Sequence, residues 1–161
     1  MKRKITAKSW LILTGALSLF AFTTFFLPPL AGNGYKIPFN KIYFPSTNYG
    51  GATTSLIAYV LILCASALFF VSAFVSNVPE RKLCIISIVL LLIGATLLFF
   101  TPSMYVNSLT APEGFNPEIL AQIKQEQLEI TTLSVGTISG IFLTFVSALF
   151  GAVCVRELKG K

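Results

Sequence analysis

The sequence predicts an all-α integral membrane protein, a bundle of four transmembrane helices joined by two outer loops. Three observations carry that reading. Four stretches run free of charge for longer than the ~20 residues a helix needs to cross hydrocarbon; they lie between Lys8 and Lys36, Lys41 and Glu80, Lys82 and Glu113, and Glu129 and Arg156. Hydrophobic residues make up 55% of the 161-residue chain and charged residues only 11%, a balance outside the range of soluble domains. Lys and Arg are also spread unevenly about those stretches, as an inserted chain requires.

Trimming the windows at Pro, Gly and Asn predicts spans near 10–27, 53–77, 83–101 and 131–155 in one domain covering 1–161. The runs are apolar on every face, whereas barrel strands would alternate with polar lumen positions. The first span follows "MKRKITAKSW", a basic start shared with secretory signal peptides. Its apolar stretch, 11–27, exceeds the ~7–15 residues of a signal core, and Pro28-Pro29 stands where small residues should precede cleavage. The segment is therefore expected to stay as an anchor. Pro28-Pro29 and, after the third span, Pro102 are expected to stop their helices, because proline cannot continue the hydrogen-bond ladder and disfavours helical geometry before it.

Orientation follows from the cations. Lys2, Arg3, Lys4, Lys8, Arg81, Lys82, Arg156, Lys159 and Lys161 fall on one side, nine against the three (Lys36, Lys41, Lys124) on the other. The richer side is expected to be cytoplasmic. Both termini and the turn 78–82 then lie inside, and loops 28–52 and 102–130 outside, in a multi-pass protein of the cell membrane. Trp10 and the tyrosines Tyr35, Tyr43, Tyr49 and Tyr105 fall at span edges or in the outer loops, where amphipathic rings favour the headgroup region. The net charge of +6 gathers on the inner face, a sign of contact with the lipid bilayer and its anionic headgroups rather than with nucleic acid.

A repeat is visible within this plan. "SALF" occurs at 66–69 and 147–150, in the second and fourth spans, each of which opens on a Thr pair (Thr53-Thr54 and Thr131-Thr132). The first and third spans end alike, in Phe25-Phe26-Leu27-Pro28 and Phe99-Phe100-Thr101-Pro102. The simplest account of both is a duplicated helical hairpin, its copies parallel about an axis along the membrane normal; the alternative is convergence on Phe, Leu, Ala and Ser in lipid-facing helices.

The fourth span carries the most ordered pattern. Thr132, Gly136, Gly140, Thr144, Ala148 and Ala152 recur every four residues and include a GxxxG. Such a stripe admits another helix backbone at close range, as internal packing or as a homo-oligomer seam. In the first outer loop, Tyr35, Phe39, Tyr43, Phe44 and Tyr49 form an aromatic set, with β-like pieces expected around 36–37 and 42–44. These rings suit either a headgroup anchor or a partner-docking surface, to which Phe115 of the second loop would add. Asn116-Pro117-Glu118 then reads as a helix start, with a cap, Pro at the first helical position and an acid near the positive dipole end. The helix that follows either bends near Thr131-Thr132 or continues into the fourth span as one rod over 117–155.

The residue types also restrict chemistry. The chain has no His and no Asp, its glutamates sit in loops or tails, and no span contains a charge, whereas ion pathways and proton relays use buried ionisable groups. Cys64, Cys84 and Cys154 show no CxxC spacing, and none falls in an outer loop, so neither a zinc site nor an extracytoplasmic disulfide is expected. No cofactor and no enzymatic activity are expected.

Four spans, inner termini and two outer loops make a layout similar to that of claudins, tetraspanins and quinone-linked disulfide-forming enzymes. The similarity is confined to topology: the first outer loop lacks the Trp and paired cysteines of claudins, the second lacks the Cys-Cys-Gly of tetraspanins, and no outer cysteine pair could exchange disulfides. Two functions fit what remains. One is a non-enzymatic accessory subunit that meets a membrane or extracytoplasmic protein, or a second copy, through its outer loops and the stripe. The other is a small transporter or channel subunit for an uncharged solute, its path lined by hydroxyls such as Thr14, Ser18, Ser66, Thr96 and Thr144.

Overall fold

The computed structural model describes residues 2–32, 35–38, 42, 53–110 and 115–158, residues 2–6 by their backbone alone. In chain order the elements are α1 (Lys2–Thr23) with a 3₁₀ turn at Thr24–Phe26, β1 (Leu30–Gly32), β2 (Tyr35–Ile37), α2 (Thr53–Phe74), α3 (Glu80–Phe99), α4 (Thr101–Asn107), α5 (Pro117–Ile130), β3 (Thr132–Leu133) and α6 (Val135–Leu158). Four of these, α1, α2, α3 and α6, supply segments long and apolar enough to cross a membrane. The chain is a multi-pass helical membrane protein.

The four long helices are apolar all round, so composition does not mark an inner face; residue size does. Buried positions on α1 include Ala7, Leu11, Thr14, Ser18 and Ala21, with Gly15 beside them; on α3 they include Cys84, Ser87, Leu91, Gly94 and Leu98. Those on α6 include Thr137, Gly140, Thr144, Ser147, Gly151, Cys154 and Leu158, and α2 follows suit with Ser55, Ala58, Ile62, Ala65, Phe69 and Ser72. Every series alternates steps of three and four, the period of left-handed helix packing. Most of these seam residues are Ala, Ser, Thr, Gly or Cys, which let backbones approach where no hydrophobic force separates protein from lipid. The bulky residues turn outward instead, among them Phe20, Ile57, Phe74, Val89, Phe142 and Leu149. Around the bundle, α1 packs on α2 and α6, and α3 packs on the same two.

Several boundaries differ from those expected. The first helix begins at Lys2 rather than near Trp10, because the Lys/Arg/Ala-bearing lead is itself a good helix former with no breaker before Gly15. Between α2 and α3 the chain turns through Asn77 at φ 68°, a left-handed position that Asn tolerates better than most residues. Glu80, Arg81 and Lys82 belong to α3 rather than to the turn. Pro102 does not release the chain: it sits in the first turn of α4, where its missing N–H is not needed, and so restarts a helix.

The fourth span begins at Val135, not at Thr131, and the rod over 117–155 is interrupted. The interruption is a three-stranded antiparallel sheet of order β2-β1-β3. Leu30 pairs with Ile37 on one side and Leu133 on the other, and Ala31 with Lys36 and Thr132. The strand expected near 36–37 is present; of the stretch 42–44 only Ile42 is among the described residues, and it is helical and buried.

Candidate functional surface at the loop end

Beside the sheet, the exit of α1 runs through Pro28-Pro29. Two prolines in succession cannot donate, yet their carbonyls still need partners. Those partners come from the start of α6: the Ser134 N–H donates to Pro29 O at 3.1 Å and Thr137 Oγ1 to the same oxygen at 2.8 Å. Ser134 Oγ donates to Pro28 O, and Thr132 Oγ1 to Ala31 O at 3.3 Å. Three hydroxyls on one strand-to-helix junction thus clasp the exit of α1. Sequence reading missed this set; the signal was the spacing of Thr132, Ser134 and Thr137 against a run of carbonyls without donors.

Just below the clasp, α6 meets α1 at glycine range. A Cβ on Gly136 would lie 2.6 Å from Leu27 Cβ, and one on Gly140 would overlap Thr24 Oγ1. Further along, a Cβ on Gly151 would lie 2.8 Å from Ile88 Cγ1 of α3. The six-residue stripe therefore divides. Gly136, Gly140, Thr144 and Ala148 face neighbours within the bundle, whereas Thr132 is an exposed strand residue and Ala152 is exposed. The reason is geometric: four residues advance a helix by about 400°, so a strict period of four drifts ~40° per step and leaves the seam. The buried row instead exchanges Ala152 for Gly151 and Cys154.

Hydroxyls that could have lined a path are engaged. Thr14, Ser18, Thr96 and Thr144 donate to Trp10, Thr14, Leu92 and Gly140 carbonyls of their own helices at 2.7–2.9 Å. Ser66 donates instead to a backbone carbonyl of another helix, Gly15 O of α1, at 2.8 Å. Its counterpart in the second "SALF", Ser147, returns to Leu143 O. Cys84 and Cys154 are buried free thiols, the latter 3.8 Å from Thr14 Oγ1, and Cys64 is exposed. Among the described residues no three His, Cys, Asp or Glu side chains gather.

Beyond the clasp stands α5. Asn116 caps it by accepting from the Glu118 N–H at 2.9 Å, and Pro117 opens it. Lys124 reaches across to Asn107 O of α4 at 2.8 Å. Leu120, Lys124, Gln127 and Ile130 form its half-buried side, and no residue of this helix is fully buried. Ile119 and Ile123 stay 47% and 38% exposed, which leaves an apolar ridge beside the anchored one. Of the candidate aromatics, Tyr35 on β2 and Phe115 before α5 are exposed, while Phe39, Tyr43, Phe44 and Tyr49 lie outside the described residues.

No family model matches the chain, and neither a curated protein nor a solved structure is significantly similar to it.

Proposed function

We propose that the protein is a non-enzymatic four-span accessory subunit of the cell membrane, with cytoplasmic termini, which engages a membrane or extracytoplasmic partner through its loop end. One observation carries this reading: α5 is a capped, 14-residue helix with an exposed isoleucine ridge and no buried residue. A connector between two spans needs no such element, and clustered apolar side chains on a positioned surface helix are a common form of docking site. Because Gly136 and Gly140 face α1, the stripe serves the bundle in this reading and the loops serve the partner. The nine-to-three cation asymmetry supports the orientation. The ring of helices supports a duplicated origin, since a half-turn about the bundle axis would exchange α1 with α3 and α2 with α6.

The test places a photo-crosslinking residue at Ile119 in intact membranes and asks for a stoichiometric adduct of defined mass. Ile123→Ser should abolish that adduct while leaving membrane yield unchanged. Persistence of the adduct in that variant, or solute flux by the purified protein alone in liposomes, would displace the reading.

A further inference from the structure

We propose that the groove between the end of α1, the sheet and the start of α6 binds an anionic phospholipid. The groove, about 340 Å³ in volume, is lined by apolar Leu27, Ala31, Leu133 and Val135 and, among the described residues, by one cation, Lys36. That volume is many times the ~30 Å³ of a water, enough for a length of acyl chain. It lies where the apolar segment Ala7–Phe26 ends and Val135–Leu158 begins, which in a bilayer would be near the change from hydrocarbon to headgroups. Leu27 and Val135 are 48% and 80% exposed, and Ile138, one turn further along α6, is exposed as well, so the groove runs into the lipid-facing side of the bundle. A bilayer lipid can enter it sideways.

Charge selects the class of lipid. Lys36 pairs across the sheet with Ala31, a groove-lining residue, and the clasp from Thr132, Ser134 and Thr137 to the carbonyls after α1 fixes that wall. The strand thus places Lys36 in the wall of the groove, within a side chain's reach of a phosphodiester at its rim. The first turn of α6, with Val135 and Gly136, forms the facing wall. A basic residue at a membrane surface is worth about a fivefold preference for an anionic over a zwitterionic lipid. A soluble anion would gain nothing from the apolar floor, which is why a lipid is the occupant.

The test moves the single tryptophan. In a Trp10→Phe background, Val135→Trp reports from the groove and Phe99→Trp from the exposed end of α3; Leu27→Trp serves as a second groove probe should the first reduce yield. Each protein is reconstituted into vesicles of brominated phosphatidylcholine mixed with phosphatidylglycerol, and then of the reverse labelling. Quenching should show about a fivefold preference for phosphatidylglycerol at the groove and none at Phe99→Trp. Lys36→Gln should reduce the groove to the reference, and Lys36→Arg should retain the preference. Equal quenching by both lipids at the groove, or a preference that survives Lys36→Gln, overturns the proposal. The accessory-subunit reading is untouched by either outcome, since no partner enters the measurement.

Discussion

Replacing Gly140 by Ala should destabilise the bundle, and the sign of that effect should reverse when Thr24 is also Ala. The new methyl would overlap Thr24 Oγ1, while its next neighbours, Thr24 Cβ at 3.4 Å and Ala21 O at 3.7 Å, are at ordinary contact distance. Thr24 is pinned, because its hydroxyl donates to Ala21 O at 2.7 Å. Relief requires either loss of that bond or separation of α6 from the 3₁₀ turn, an overpacking cost of about 2 kcal/mol. Against this stands the gain of about 1 kcal/mol from exchanging Gly for Ala within a helix. The net expectation is a loss of about 1 kcal/mol for the single variant, and a gain of about 1 kcal/mol for the same change in a Thr24→Ala background. The coupling energy is then about 2 kcal/mol, well above the ~0.5 kcal/mol scatter of independent sites. Unfolding in mixed micelles of rising SDS fraction measures it, followed by the fluorescence of Trp10, whose ring lies 5.3 Å from Phe150 of α6 and reports α1–α6 docking directly. Equal effects in both backgrounds would refute the claim that one hydroxyl sets the distance between these helices.

Two further outcomes are expected. Ser66→Ala removes a hydrogen bond between helices and should lower stability by about 1 kcal/mol, whereas Thr96→Ala, exposed and bonded within its own helix, should change it by less than ~0.5 kcal/mol; the same SDS titration compares them. With the three native cysteines replaced, Ser108→Cys in intact cells should react with a membrane-impermeant maleimide and Lys159→Cys should not, as the cation asymmetry requires; labelling of the second would invert the orientation.

The spans were legible because length and hydropathy alone decide whether a helix can cross a bilayer. The start of α5 was legible because its cap is local chemistry: Asn116, Pro117 and Glu118 act within one turn. What sequence reading missed depends on partners far along the chain. Thr131-Thr132 belongs in a helix by apolar context and leaves it because Thr132 pairs with Ala31. The Asn33-Gly34 dipeptide between the paired strands is a sequence that tight hairpins favour. The stripe on α6 was half legible: small residues do mark the seam, but their strict period of four does not match a helical turn. On the candidate surface, helical periodicity groups Ile130 with Ile119 and Ile123, yet only the last two form the exposed ridge and Ile130 turns to the half-buried side; the groove at Lys36 was not legible, since it requires β2 to be laid beside the end of α1.

The hydroxyl clasp has a consequence for how the chain is assembled. Its bonds join residues 101 to 108 positions apart, so the carbonyls that follow the first span emerge from the ribosome long before the groups that satisfy them. Until α6 is inserted, the exit of α1 must be held by water or headgroups, and the glycine-facing surface around Thr24 has nothing against it. A helix made much later, α6, therefore closes the exit of α1. A chain arrested before α6 would present those unpaired carbonyls at the end of α1, a chemical mark by which it differs from one in which α6 has docked.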